Sequence, residues 1–227
     1  MINQFTKNMQ WKKSSFDNGK LHFTNGKVSF IMIKVPGTNF YIGETPVTQQ
    51  LWEDIMGENP SYFEHTPLAP VENVSHKDCC IFIDKLNNIT GEVFRLPTID
   101  EWMIAAYGND PDKHFLYAGS NNPIEVGWFG HRTRPVKLKK PNSIGLFDLT
   151  GNVWEWCSTP APTQYIPLGG GIPKEYRKLP DGTIEIPTFY YLKGGSCMNG
   201  FKTSTLDSTN IFGENYKNLH LGMRLVL

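Results

Sequence analysis

The chain has 227 residues, enough for one domain with a substantial hydrophobic core. Lys and Arg total 22, as do Asp and Glu, and this zero net charge argues against nucleic-acid binding driven by bulk electrostatics. No apolar run is long enough to span a membrane, and the first residues lack the apolar stretch of a secretory signal. Cytoplasmic, phage-associated and exported chains remain as alternatives.

The first part of the chain predicts extended structure. Residues 1–25 are polar and weakly patterned, and they predict a lead-in or a covering strand. The apolar run Val28–Val35 predicts a β-strand that ends at Pro36, and Phe40–Gly43 predicts a second short strand.

Three helices are predicted next, each with a start signal. Thr45–Pro46 places a proline in the first turn of the first helix, which Gly57 ends. Ser75–Asp78 offers a capping signal for the second helix, and Thr98–Glu101 is a capping box for the third, which stops at Gly108. Apolar positions at helical spacing are Val47, Leu51, Ile55, Cys79, Phe82, Ile83, Leu86, Trp102, Ala105 and Ala106.

Beyond the third helix, short apolar pieces alternate with Gly, Pro and Asn. The proline-rich stretch 160–187 predicts a surface insertion, because strand-like sequence resumes on both sides of it. Residues 1–227 therefore predict one α+β domain of irregular build. The strand-like pieces are Val126–Phe129, Leu146–Leu149, Val153–Trp156, Phe189–Leu192 and Met223–Leu227.

The four cysteines are Cys79, Cys80, Cys157 and Cys197. No CxxC pair occurs, an adjacent pair is a poor disulfide, and the paired spacing of a tetrahedral zinc site is missing. We interpret them as buried free thiols.

The segment Gly151–Trp156 carries a possible metal site. Trp154 and Trp156 are two apart and share one side of an extended segment, so Glu155 points the other way. Asp148 and Glu155 bracket a glycine-bearing turn that could aim carbonyls between them, a donor set that suits Ca²⁺. The alternative is a capped turn with a solvated glutamate.

A series of motifs follows in one order along the chain: Tyr41–Thr48, Pro70–Ser75, Arg95–Thr98, Glu101–Trp102, Ala105–Ala106, Pro141–Leu149, Gly151–Trp156, Gly194–Ser196 and Gly222–Arg224. This series resembles the formylglycine-generating enzyme, or sulfatase-modifying factor, family. The resemblance covers roughly residues 28–227 and implies the family's C-type-lectin-like fold, with few short helices and twisted antiparallel strands.

The resemblance also implies one calcium ion in the 148–155 turn. Its ligands are expected to be the side chains of Asp148 and Glu155 and the carbonyls of Gly151 and Val153. A second calcium site of the family has no convincing counterpart between Gly127 and Pro135.

The family's catalytic chemistry is expected to be missing. Its two reactive cysteines, which bind copper(I) in the aerobic enzymes, fall at Asn199 and Ser204 in this sequence. We therefore expect no copper and no formylglycine formation, and a structural role for Ser196. The alternative is a divergent enzyme of the family with altered thiol or metal oxidation chemistry through Cys197.

Residues 197–221, here called the recognition segment, mix aromatic and small polar residues without a regular period. This layout resembles the variable proteins of diversity-generating retroelements, which implies binding of a protein or glycan on a cell or phage-host surface. The alternative is an ordinary loop of an inactive relative. The predicted recognition face comprises Trp154, Asn199, Phe201, Thr203, Thr205, Asp207, Ile211, Phe212 and Tyr216.

Overall fold

The structure is a computed structural model. It describes residues 10–16, 18–63, 66–108, 115–162, 177–181, 184–185 and 187–227. Most of the predicted insertion, residues 160–187, and the first part of the predicted lead-in lie outside these ranges. No helix of the described residues is long and apolar enough to cross a membrane.

The first sheet is antiparallel and has the strand order β1-β2-β3-β4. The two predicted strands are confirmed as β3 and β4, and the predicted lead-in contributes a hairpin, β1 and β2, ahead of them. Leu21 and Phe23 of this hairpin are buried, so it covers the core. The bounds are Lys12–Phe16 for β1, Lys20–Thr24 for β2, Ser29–Lys34 for β3 and Tyr41–Gly43 for β4.

The three predicted helices are present. They are α1 (Gln49–Met56), α2 (His76–Thr90) and α3 (Ile99–Tyr107), with left-handed glycines at their ends. Capping boxes begin α2 and α3 as predicted, with Ser75 and Thr98 as the capping residues. A four-residue helix, α4 (Pro123–Val126), was not predicted.

The predicted start of α1 is wrong. The helix is capped by Thr48, whose hydroxyl accepts a hydrogen bond from the Leu51 amide, and not by Thr45. The amide of Val47 instead donates to the Met223 carbonyl at 2.9 Å. Residues 46–47 are therefore held extended by the end of the chain, and the helix begins only after them.

The second sheet carries the recognition segment. Its order is β11-β10-β7-β12, and all its pairs are antiparallel except β12 with β7, which is parallel. Two further pairs of short strands complete the α+β architecture, so the predicted fold class is confirmed. The remaining strands are β5 (Gly127–Trp128), β6 (Thr150–Gly151), β7 (Trp154–Pro160), β8 (Arg177–Lys178), β9 (Ile184–Glu185), β10 (Phe189–Lys193), β11 (Thr209–Gly213) and β12 (Leu221–Gly222).

Strand β7 separates two hydrophobic clusters. Trp154 and Trp156 pack into one cluster with α2 and the first hairpin, while Cys157 packs into the other with Trp102. The predicted common orientation of the two tryptophans is thus confirmed. Residues 223–226 are buried between the clusters, and Val226 forms bridges to both Ile42 and Arg95.

The cysteines are all free, as predicted, but one of them is not buried. Cys79, Cys157 and Cys197 are buried, whereas Cys80 is exposed. Cys79 lies on the apolar stripe of α2, and the next residue of a helix is rotated by about 100° away from that stripe. The prediction of a buried thiol is therefore wrong for Cys80.

Candidate functional site

The recognition segment begins at a fixed point of the fold. The Cys197 amide donates to the Asn152 carbonyl at 2.9 Å, and the Cys197 carbonyl accepts from the amides of Gly130 and His131. Asn152 has a left-handed φ of 61° and is fully buried. The entry to the segment is therefore set by main-chain hydrogen bonds to a rigid turn.

Asn199 is held by two hydrogen bonds to its side-chain oxygen. The Trp154 indole Nε1 donates to Asn199 Oδ1 at 2.7 Å, and the Ser196 hydroxyl donates to the same atom at 2.6 Å. Trp154 itself is buried, so it supports the predicted recognition face from beneath and is not exposed on it. Asn199 is half-buried, with its orientation fixed by these two donors.

The middle of the segment packs on residues that sequence reasoning missed. A single turn of 3₁₀ helix, Phe201–Thr203, is exposed, and the Tyr117 hydroxyl donates to the Phe201 carbonyl at 3.2 Å. The Leu206 amide donates to the Leu116 carbonyl at 2.9 Å. Leu116 and Phe201 are both exposed, so Leu116 adds apolar area beside the segment. The only sequence signal was the short apolar run around residue 116, which lacked any period.

Lys193 is a buried cation beneath the same turn. Its Nζ donates to the carbonyls of Leu206 and Ser208 at 2.6 and 2.9 Å and to Thr209 Oγ1 at 3.2 Å. Burial lowers the pKa of Lys193 to about 8. Three oxygens of one turn thus converge on one ammonium group, which ties the turn to strand β10.

The predicted recognition face divides between the two sides of strand β11. Ile211 pairs with Tyr191 in the sheet and Phe212 with Tyr190, and successive side chains of a strand point to opposite sides. Phe212 stacks on Tyr216 with ring centres 4.3 Å apart. The structure therefore brings Phe212 and Tyr216 together but separates them from Ile211.

Three members of the predicted face are exposed, five are half-buried and Trp154 is buried. Phe201, Thr203 and Asp207 are exposed, and the Tyr107 hydroxyl donates to Asp207 Oδ1 at 3.3 Å. Thr205 is half-buried, with its Oγ1 2.9 Å from Ser208 Oγ. The other half-buried members are Asn199, Ile211, Phe212 and Tyr216.

The predicted calcium turn contains a buried ion pair. The Arg224 guanidinium donates through Nε and Nη2 to the Glu155 carboxylate at 2.9 and 2.8 Å, and the Trp102 indole donates to it at 2.7 Å. Glu155 and Arg224 are both inaccessible to solvent, which corrects the alternative of a solvated glutamate.

Asp148, the second predicted carboxylate ligand, also has donors. Its Oδ2 accepts from the Lys137 amide at 2.9 Å and its Oδ1 from the Asn152 side chain at 3.1 Å. Burial raises the pKa of Asp148 to about 6. Gly151 and Val153, whose carbonyls complete the predicted set, lie buried in the same turn.

In this structure the cation that meets Glu155 is the guanidinium of Arg224, so calcium would have to compete with it for this carboxylate. Within the described ranges no three His, Cys, Asp or Glu side chains cluster as a metal site. Calcium binding at the turn stays a prediction. A raised melting midpoint with added calcium, compared with chelator, supports it, and an unchanged midpoint rejects it.

The two positions at which the family resemblance places cysteines carry no thiol. Ser204 is buried against Gly195, whose left-handed φ of 73° and lack of a Cβ allow the close contact. Cys197, the conceivable displaced thiol, is buried, and burial raises its pKa to about 12. At neutral pH it is therefore a protonated thiol, a poor nucleophile and a poor metal ligand.

Comparison with known proteins gives the family. The model of the sulfatase-modifying factor enzyme 1-like domain matches residues 15–227. The chain belongs to this family. The formylglycine-generating enzyme of Streptomyces coelicolor is 34% identical over 116 residues, which cover 44% of this chain and 35% of that enzyme.

Two further proteins are matched over most of their own length. Treponema denticola variable protein 1 superposes with a TM-score of 0.73 at 26% identity, covering 91% of this chain and 98% of that chain. The chaperone protein LppX of Paenibacillus barcinonensis is 33% identical over 210 residues, covering 66% of this chain and 75% of that protein. These likenesses confirm the resemblance to the enzyme family, to a variable protein and to their common lectin-like fold.

Proposed function

We propose that this member of the family is a ligand-binding protein that presents the recognition segment to its ligand and performs no chemistry. The observation that carries this proposal is that the main chain of the recognition segment is anchored while several of its side chains are exposed. The segment is fixed by main-chain hydrogen bonds at Cys197 and Leu206 and by the Lys193 ammonium group of β10, while Phe201, Thr203 and Asp207 remain exposed. Such an arrangement keeps binding groups ordered before the ligand arrives, which lowers the entropic cost of binding.

The anchoring contacts favour a segment whose side chains can vary. The Phe201 carbonyl, the Leu206 amide and the Ser208 carbonyl take part through main-chain atoms, which every residue type except proline supplies in full. Exchange of the exposed side chains therefore leaves the support of the turn in place. The likeness to Treponema denticola variable protein 1 supports the same proposal.

The ligand we propose is a protein or glycan on a cell or phage-host surface. Phe201 and Leu116 offer exposed apolar area, and Thr203 and Asp207 offer hydrogen-bonding groups beside it. Aromatic area next to small polar groups is the composition of adaptable binding surfaces. Asn199 and Ser204 supply no thiolate, which supports binding without catalysis.

A triple alanine variant tests this proposal. F201A/T203A/D207A removes three exposed side chains and keeps every main-chain anchor, so we expect the same melting midpoint but about tenfold weaker binding to surface proteins or arrayed glycans. The matched control, I81A/I89A/V93A, removes exposed apolar groups on and beside α2 and should bind like wild type.

Two results would overturn the proposal: equal binding by the recognition-segment variant and wild type, or oxidation of a cysteinyl peptide by the purified protein. A reverse transcriptase gene nearby, with a near-copy of the DNA that encodes residues 197–221, supports the variable-protein form of the proposal.

A further inference from the structure

A second exposed surface adjoins the start of the recognition segment. It is centred on the loop of residues 129–137, which contains two arginines. The amides of Gly130 and His131 both donate to the Cys197 carbonyl, at 2.9 and 3.1 Å. The loop and the recognition segment are thus hydrogen-bonded neighbours.

The backbone of this loop is fixed along its length. The Asn152 side chain accepts from the Arg134 amide at 3.0 Å and donates to the Arg134 carbonyl at 3.1 Å. Further along, the Val136 amide donates to Leu68 and the Lys137 amide to Asp148, both at 2.9 Å. The arginine side chains therefore project from a rigid support.

The charges of the two arginines are not neutralised within the described part of the chain. Arg132 and Arg134 are exposed and form no ion pair or hydrogen bond there through their guanidinium groups. By contrast, Lys137 pairs with Glu44 at 2.7 Å and Lys140 with Glu125 at 3.1 Å, so the neighbouring cations are satisfied.

An aromatic ring lies near each guanidinium group, at the outer limit of a cation–π contact. The Cζ atom of Arg132 lies 6.0 Å from the ring centre of Phe63, and that of Arg134 lies 6.0 Å from the ring centre of Trp128. Cation–π contact of this kind leaves the donating edge of a guanidinium available to an acceptor. Both guanidinium groups thus keep free donors for a ligand that carries acceptors.

Exposed apolar side chains occur on the residues next to Phe63 and next to Cys197, the two places where this loop has its neighbours. Tyr62 is 70% exposed and packs edge-to-face on Phe63 with ring centres 5.2 Å apart, and Met198 is 43% exposed. Arginine, tyrosine and methionine are the residues enriched in protein–protein interfaces. We call this surface the arginine face, and its members are Tyr62, Phe63, Arg132, Arg134 and Met198.

We propose that the arginine face binds an acidic patch of a protein partner, with Arg132 and Arg134 each pairing a carboxylate. The inference rests on the proposed binding function and specifies the chemistry of the partner. A planar guanidinium donates two parallel hydrogen bonds to a carboxylate, and the aromatic rim shields such pairs from water.

The test uses a fluorescein-labelled peptide of alternating glutamate and tyrosine, with binding measured by fluorescence anisotropy. We expect R132Q/R134Q to bind this peptide about tenfold more weakly than wild type. R132K/R134K keeps the charge but loses the paired geometry, so we expect it to fall between the two. K12Q/K85Q removes the same charge from other exposed sites and should bind within about twofold of wild type.

Three results would contradict the inference: no binding of the peptide, equal losses in K12Q/K85Q and R132Q/R134Q, or tighter binding of a short heparin oligosaccharide than of the peptide. The last result would point to a sulfated glycan. These outcomes leave the recognition-segment test untouched. Failure of F201A/T203A/D207A to weaken surface binding would instead reject the proposed function.

Discussion

At the scale of single residues, the least expected feature is the charged pair in the centre of the molecule. Besides Glu155, Arg224 bonds the Gly43 carbonyl and the Phe147 carbonyl, both at 2.8 Å. One side chain thereby joins β4, the residue before the 148–155 turn, and β7. Removal of one partner from such a pair leaves the other charge buried without compensation.

We predict that Arg224→Met lowers the free energy of unfolding by about 3–5 kcal/mol. The physical reason is the uncompensated Glu155 carboxylate, and chemical denaturation measures the loss. Arg95→Met is the matched control, because Arg95 forms a two-pronged pair with Glu101 at the surface. We expect that control to cost about 1 kcal/mol or less. Equal losses in the two variants would contradict a special role for the buried pair.

The sequence predicted contacts between residues that are close along the chain, but not contacts between residues that are far apart along it. Ser75 and Thr98 were predicted as helix caps because their partners lie three residues away. Glu155 was read as a metal ligand or a solvated group because its partner, Arg224, lies 69 positions further along the chain. A charge beside two tryptophans does not by itself reveal which cation it meets.

At the scale of elements, the turn after the 3₁₀ helix depends on strand β10. Lys193 looks like an ordinary strand lysine in the sequence, and nothing there indicates that its ammonium group is buried beneath residues 206–209. The loop of residues 129–137 was also not predicted, because hydrogen bonds from its main chain to residues distant in the sequence hold it in place. By contrast, α2 and α3 were predicted closely because apolar spacing and caps are local signals.

We predict that Lys193→Met loosens this turn without unfolding the domain. Loss of the ammonium leaves the Leu206 and Ser208 carbonyls without their donor, so amide exchange at Leu206 should speed up by about tenfold. Hydrogen exchange read by NMR measures this effect, and the Val226 amide reports on the core. Lys202→Met, an exposed lysine of the same segment, is the control and should change neither amide. Unchanged exchange at Leu206 would refute the role given to Lys193.

At the scale of the whole molecule, helix α2 contacts the second sheet through a histidine. His76 begins α2 and stacks on Tyr190 of β10, with ring centres 3.6 Å apart. Burial lowers the pKa of His76 to about 4, so the ring is neutral in the folded protein. In the unfolded chain His76 takes up a proton with the ordinary pKa of 6.5. In the folded protein it does so only with a pKa of about 4.

Between pH 6.5 and 4 the unfolded state therefore binds more protons, and acid should destabilise the fold. We predict that wild type loses about 2 kcal/mol more than His76→Phe over this range, because phenylalanine keeps the stacked ring but does not titrate. Denaturant unfolding at several pH values gives the difference between the two. His22→Phe, on strand β2, is the control and should follow wild type. If the free energy of unfolding falls with pH equally in wild type and His76→Phe, protonation of His76 does not cause the acid destabilisation.

The position of residues 223–226 has a consequence for the order of events during synthesis. These residues supply hydrogen bonds to Gly43 and Arg95, as well as the arginine that meets Glu155. A nascent chain from which residues 223–226 have not yet emerged lacks the segment that joins its first strands to its last ones. The domain can therefore complete its fold only once these residues have emerged from the ribosome, and until then the apolar sides of β3 and β7 lack their packing partners.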